Sequence, residues 1–155
     1  MAIGAVVFSN LQHGREHDII FDLDKAVSTE GKSGTYVQTA YARACSLLSR
    51  ADETGIEVQH GAVHFDTKGE RELVKLIAQF PTIIGKAREQ KQPSAIAEYA
   101  LELSGLFSAF YHNNLGILHE EDDIIRSSRL RLTSAFAQTL KNALTLLGVP
   151  TPERI

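Results

Sequence analysis

The sequence predicts an all-α protein, an antiparallel bundle of four to five helices. The first observation is the segment 123–147, which has no helix breaker before Gly148 and places its apolar side chains on one stripe at about 100° per residue. The stripe consists of Ile125, Leu132, Phe136, Leu140, Ala143 and Leu147. The second observation is a dense apolar face at helical spacing within residues 96–110. Such stripes are buried most simply against one another.

Composition limits the possible functions. The 155 residues suffice for one domain with a core, and the formal net charge of −3 means that any nucleic-acid contact must come from a local basic patch. We therefore expect no DNA partner. The single cysteine, Cys45, excludes a disulfide framework and fits a reducing compartment. No signal peptide or apolar run of membrane-spanning length is evident, so we expect a cytoplasmic protein without a membrane partner.

The residues up to 34 are predicted to form short segments and loops before the first long helix. Residues 2–8 form a short apolar segment, and the alternating IIFDLD at 19–24 suits a short strand or extended piece. The glycine-containing STEGKSG at 28–34 is interpreted as a loop before a helix, because a phosphate cradle would need a preceding buried strand and a longer glycine loop.

A helix is predicted from Thr35 to about Asp52, with Ser33 or Thr35 as its cap. The polar loop 51–66 that follows contains His60 and His64. We expect no metal site there, because a neighbouring glycine argues against a helix and no third ligand is evident.

Capping residues and prolines mark the ends of the central helices. Thr67 and Glu70 form a capping box, Pro81 predicts a kink or break before a second piece at 82–91, and Pro93 sits at the start of the next helix. That helix is expected to end at His112-Asn113-Asn114. Tyr111 lies at the edge of its apolar face, where a tyrosine is usually half-buried with its hydroxyl in water.

The last helix carries a basic sequence, RSSRLR, near its start. Asp122 and Asp123 precede it, and Gly148 with two following prolines predicts its end. Arg129 falls on the apolar stripe, so it is either part of a partly buried ion pair or faces a ligand. Arg126 and Arg131 complete the basic cluster, which by itself is typical of a solvated face.

These segments resemble one known family. RLRLTSAFAQTLKNALTLLGVPTPERI is similar to the C-terminal helix of arginyl-tRNA synthetases, with Arg-Leu at 129–130, Leu-Leu-Gly at 146–148 and Pro-Glu-Arg-Ile at 152–155. PSAIAEYALELSGLFSAFYH resembles the preceding family helix, and FDLDKAVSTEGKSGTYVQTAYAR resembles the segment that joins the catalytic core to the C-terminal domain. The sequence departs from the family at Lys32-Ser33, Thr35 and Thr39, where Asn-Thr, proline and tyrosine are usual, and in ending on Ile155 rather than methionine.

The resemblance implies that residues 34–155 are a DALR-type tRNA-anticodon-binding domain and residues 1–33 the junction from the catalytic core. Its partners would be the anticodon loop of arginine tRNA and that core. The two catalytic signatures of class I aminoacyl-tRNA synthetases, His-x-Gly-His and Lys-Met-Ser-Lys, are absent from the sequence. ATP and magnesium would belong to the parent ligase; we expect this chain to use no cofactor, to have no catalytic residues and to be inactive alone.

The resemblance also implies an RNA-contacting surface. Tyr111 and Ile155 correspond to the family's base-contacting tyrosine and last residue. The other predicted tRNA-binding residues are His112, Arg126, Arg129, Arg131 and Arg154. Two alternatives remain: a helical protein-interaction module that borrowed the fold and lacks tRNA binding, or a stand-alone regulatory paralogue.

Overall fold

The computed structural model describes residues 2–13, 31, 33–59, 61, 63–114 and 116–155. They form six α-helices and one 3-10 turn, so the all-α class is confirmed. The helices are α1 Ala2–Leu11, α2 Gly34–Glu53, α3 Lys68–Ala78, α4 Phe80–Gln90, α5 Ser94–Asn113 and α6 Asp123–Leu146, and the 3-10 turn is Ile117–His119. The apolar segment predicted at 2–8 is thus part of a helix. The predicted extended piece at 19–24 and Lys32 lie outside the described residues, and the boundary between junction and domain at residue 34 stays a prediction.

Side-chain caps fix where the helices begin. Ser33, not Thr35, caps α2: its Oγ accepts a hydrogen bond of 2.9 Å from the backbone N–H of Tyr36. The predicted capping box is present, because Glu70 N–H donates to the hydroxyl of Thr67 at 3.1 Å and Thr67 N–H donates to the Glu70 carboxylate at 2.9 Å. Asp122 caps α6.

Proline and glycine separate the later elements. Gln79 separates α3 from α4, and Pro81 lies in the first turn of α4. The last helix has 24 residues and lies within the predicted segment 123–147. Gly148 ends it in the left-handed region at φ 68°, where a side chain would be strained. Gly148 N–H then donates to the carbonyl of Thr145 at 3.1 Å, and Val149 N–H to that of Leu144 at 2.9 Å.

The core lies between α2, α5 and α6. The α6 stripe is buried as predicted from Leu132 to Leu147, whereas Ile125 at its start is only partly buried. Phe107 of α5 packs on Phe136 of α6, and the Tyr99 hydroxyl donates to the Leu76 carbonyl at 3.0 Å, which ties α5 to α3. No helix in the described part of the chain is long and apolar enough to cross a membrane.

Helix α1 packs closely on the start of α2 because a glycine lies at the contact. A Cβ at Gly34 would approach Phe8 Cβ to 2.8 Å and Ala5 Cα to 2.9 Å, which is closer than carbon atoms pack. Glycine at this position therefore permits the contact of α1 with the start of α2, where Gln38 also bonds Pro150.

Candidate nucleic-acid interface

Tyr111 and His112 lie in the last turn of α5. Tyr111 is half-buried, which confirms the partial exposure predicted from its position at the stripe edge. Its ring centroid is 6.2 Å from that of Phe107 and 6.1 Å from that of His112, the latter edge-on at 84°. The exposed His112 holds its Nδ1 2.7 Å from the Ser108 carbonyl. The pair thus presents a supported aromatic ring next to a polar side chain at the surface.

Arg129 lies between two carboxylates. Its Nε donates to Glu70 Oε1 and its Nη1 to Glu120 Oε2, each at 2.8 Å. The side chain of Arg129 is 14% exposed and that of Glu70 only 1%, so the ion-pair interpretation of Arg129 is confirmed. Burial alone would raise the pKa of Glu70, but hydrogen bonds from Thr67 and the Arg129 guanidinium outweigh it and lower the pKa.

The two flanking arginines also have protein partners. Arg126 Nη1 donates to the Glu120 carbonyl at 2.6 Å, and Nη2 pairs with the carboxylate of Asp123. The exposed Arg131 donates to the Gly61 carbonyl at 3.1 Å. Because a guanidinium has five N–H donors and this bond uses one, Arg131 keeps donors directed to solvent. Arg131 is the most exposed of the three arginines.

The serines between these arginines hold a loop, which the sequence reasoning missed. Ser127 Oγ accepts from Gln59 N–H at 3.0 Å, and Ser128 Oγ accepts from His64 N–H at 2.9 Å. Both serines are buried, and the only signal in the sequence was two small hydroxyl residues within a basic run. Half of the segment RSSRLR thus hydrogen-bonds to residues 59, 61 and 64.

The sequence predicts no metal site at His60 and His64, and the structure describes only one of these two histidines. His60 lies outside the described residues, and His64 Nε2 is 2.6 Å from a carboxylate oxygen of Asp66. Within the residues that are described, no group of three or more histidine, cysteine or acidic side chains is arranged to hold a metal ion.

The C-terminal tail, residues 148–155, lies along α2. The Pro150 carbonyl accepts a hydrogen bond of 2.7 Å from Gln38 Nε2. Further along, Tyr41 has Cys45, Glu153 and Thr151 as neighbours; burial, with a smaller contribution from Cys45 and Glu153, raises the pKa of Tyr41 to about 12. Arg154 and Ile155 are exposed, and they line a depression of about 430 Å³ together with residues of α2. The α2 residues on its wall are Cys45, Ser46, Ser49, Arg50 and Glu53.

The structure therefore arranges the predicted residues in three groups. Tyr111 and His112 form one, the cluster of Arg126, Arg129 and Arg131 forms the second, and the tail residues form the third. Arg126 and Arg129 are joined through Glu120.

Comparison with known proteins gives a consistent result. The family described as the DALR anticodon binding domain matches residues 37–155. Arginine–tRNA ligases of Clostridium botulinum (strain Alaska E43 / Type E3) and Clostridium perfringens are 37% and 36% identical over all 155 residues, which make up 27% of each relative. The chain thus spans about a quarter of the length of the curated relatives it matches.

Solved structures show the same architecture. Thermus thermophilus arginyl-tRNA synthetase superposes on 99% of this chain with a TM-score of 0.86 and 32% identity, using 26% of its own length. For the Plasmodium falciparum arginyl-tRNA synthetase the TM-score is 0.85 and the identity 26%, over 99% of this chain and 27% of that one.

Proposed function

This chain belongs to the DALR anticodon-binding domain family of arginyl-tRNA synthetases, and we propose that it binds the anticodon loop of arginine tRNA and so serves the formation of arginyl-tRNA. The observation that carries the proposal is that the whole chain, not one motif, matches arginine–tRNA ligases at 37% identity. We further propose the catalytic core of such a ligase as its protein partner, because the relatives are about four times as long as this chain.

The chemistry of the surface supports recognition of single-stranded bases. Unstacked anticodon bases are bound by stacking on aromatic rings and by hydrogen bonds to their edges. The ring of Tyr111 packs against that of Phe107, and His112 provides a polar group beside it. We propose that a base stacks on Tyr111 and that Ile155 contacts a neighbouring base.

The arginines divide by their surroundings. We propose that Arg131 and Arg154 contact phosphates, since both are exposed. Arg126 and Arg129 are committed to carboxylates and a carbonyl of the chain itself. We propose that these two act on RNA binding through the position of α6. Freeing Arg129 to reach a phosphate would break its ion pair with the buried Glu70 and cost several kcal/mol. The pair of Arg126 with Asp123 is more exposed and weaker, but Arg126 also donates to the Glu120 carbonyl.

The proposal is tested by a mobility-shift assay with arginine tRNA against an unrelated tRNA. A net charge of −3 and a small basic patch predict a modest affinity that falls as salt rises. Preference for arginine tRNA supports the proposal. Equal binding of both tRNAs would contradict recognition of arginine tRNA, and binding of neither would leave the protein-interaction module as the better account.

A matched pair of variants sharpens the assay. Arg131→Gln and Lys141→Gln each remove one positive charge from an exposed position of the same helix. We expect Arg131→Gln to weaken binding and to reduce the slope of log affinity against log salt by about 0.7–0.9. Lys141→Gln should leave both quantities near their original values. Equal effects of the two variants would mean that only the overall charge matters, not the proposed patch.

A further inference from the structure

Gln38 is a fully buried polar side chain in the interior of α2. Its relative exposure is 0%, and its Nε2 donates to the Pro150 carbonyl at 2.7 Å across 112 positions of sequence. Its Oε1 accepts no hydrogen bond from the described residues. Burial of an amide that satisfies only one of its two ends costs free energy. Its one hydrogen bond is therefore directed at the tail alone.

Besides this hydrogen bond, the Thr151 side chain is hydrogen-bonded to that of Tyr41 on α2. Pro150 and Pro152 have no N–H, so the backbone from 149 to 153 has fewer donors than an ordinary segment of that length. The Pro150 carbonyl is the first tail acceptor beyond Val149, which is itself buried at the end of α6. Because proline also fixes φ, fixing Pro150 sets the direction in which residues 151–155 leave.

Helix α1 closes over this contact. A Cβ at Gly4 would lie 2.6 Å from Gln38 Nε2 and 3.3 Å from Pro150 Cδ. The absence of a side chain at Gly4 thus leaves room for both the amide and the proline. Three separate parts of the chain, α1, α2 and the tail, meet at this one hydrogen bond.

We propose that Gln38 is the positioning residue of the C-terminal tail: its amide, enclosed by Gly4, holds Pro150 so that Arg154 and Ile155 form one wall of the 430 Å³ depression on α2 before RNA arrives. This inference rests on the proposed function, since it assigns the tail's order a role in tRNA binding. A tail that is already ordered avoids part of the entropy cost of binding. Loss of the Gln38 hydrogen bond therefore weakens binding without removing any group that touches RNA.

The first test measures the tail without RNA. Backbone ¹⁵N relaxation of the 155-residue chain gives order parameters for Thr151 and Glu153. These should be near 0.85 in the wild type and should fall below about 0.6 in Gln38→Met, which keeps the length but lacks the donor. Gly4→Ala should have the same effect by displacing the amide. It replaces Gln38→Met in this measurement if Gln38→Met fails to fold. Gln90→Met, at an exposed position of α4, is the matched control.

The second test asks whether Gln38 acts through the tail. In the full chain, Gln38→Met should weaken arginine tRNA binding by about threefold to tenfold, the range expected for one neutral hydrogen bond. In a chain that ends at Pro150, the same substitution should have no further effect, because the tail it positions is gone. A purely structural role would give the same loss in both backgrounds.

The outcomes separate the two proposals. Unchanged order parameters in folded Gln38→Met and Gly4→Ala would overturn the positioning role, as would an equal loss of affinity with and without residues 151–155. If the wild type binds no tRNA, the proposed function fails, whereas the relaxation data still decide whether Gln38 orders the tail.

Discussion

Phe136 of α6 lies flat on Phe107 of α5, with ring centroids 3.8 Å apart and ring planes 5° from parallel. Both side chains are completely buried. Aromatic pairs generally prefer offset or edge-on arrangements, so this near-parallel stack reflects how tightly the two helices pack. The pair therefore marks the centre of the core on which the exposed residues of both helices depend.

Removal of one ring should be costly. We expect Phe136→Ala to lower the free energy of unfolding by about 3–5 kcal/mol, from lost apolar burial and the cavity left against Phe107. Urea denaturation measures this. Gln138→Ala on the exposed side of the same helix should change stability by less than about 0.5 kcal/mol. A loss below about 1 kcal/mol for Phe136→Ala would show that the apolar stripe is assigned incorrectly.

Much of this architecture could be predicted because it depends on local sequence. The Thr67–Glu70 capping box, the length of α6 and its end at Gly148 follow from signals within a few residues. Helix α1 gave no such signal: AIGAVVFSNL lacks a polar face, and apolar periodicity cannot distinguish a short helix of this kind from other buried segments.

The contacts that organise the candidate interface could not be predicted from the sequence in the same way. Gln38 bonds Pro150 and Arg129 bonds Glu70, pairs separated by 112 and 59 positions. Sequence spacing showed that Arg129 lay on an apolar stripe and needed compensation, but not which acidic residues supplied it. Likewise, nothing local marked Ser127 and Ser128 as acceptors for a loop.

The carboxylate of Glu70 should make stability depend on pH. Its folded pKa lies below the ordinary 4.5, because the hydrogen bonds it accepts outweigh its burial. The resulting stabilisation is present above pH 4.5 and is lost as the pH falls through the lower folded pKa.

Glu70→Gln isolates that contribution. At pH 7 this variant should be less stable by roughly 1.5–3 kcal/mol, the range for a hydrogen bond to a charged group. The difference from wild type should shrink in acid, where the wild-type carboxyl takes up a proton. Urea denaturation at a series of pH values measures it, with the exposed Glu57→Gln as control. A difference that is independent of pH would refute the assigned role of the charge.

Tyr111 should contribute to RNA binding rather than to folding. Stacking of one base is worth about 1–3 kcal/mol by alanine substitution, so Tyr111→Ala should weaken arginine tRNA binding roughly tenfold or more. Tyr111→Phe keeps the ring and should weaken it much less. Thermal melts should show that both variants fold. Unchanged affinity in folded Tyr111→Ala would remove this residue from the interface.

The chain alone should not activate arginine. Its sequence has neither His-x-Gly-His nor Lys-Met-Ser-Lys, and its described residues form helices without the parallel sheet on which such signatures are placed. We expect no arginine-dependent ATP–pyrophosphate exchange above a buffer blank. Exchange that persists in a preparation free of host synthetase would contradict the assignment as a binding domain.

The most direct test of the central claim compares two labelled RNA hairpins. One is the anticodon stem-loop of arginine tRNA, and the other is identical except for replaced anticodon bases. Fluorescence anisotropy should give an affinity for the arginine anticodon about tenfold or more higher, as expected if at least two base-edge hydrogen bonds are lost on replacement. Equal affinities for the two hairpins would contradict the proposal that this surface reads the anticodon.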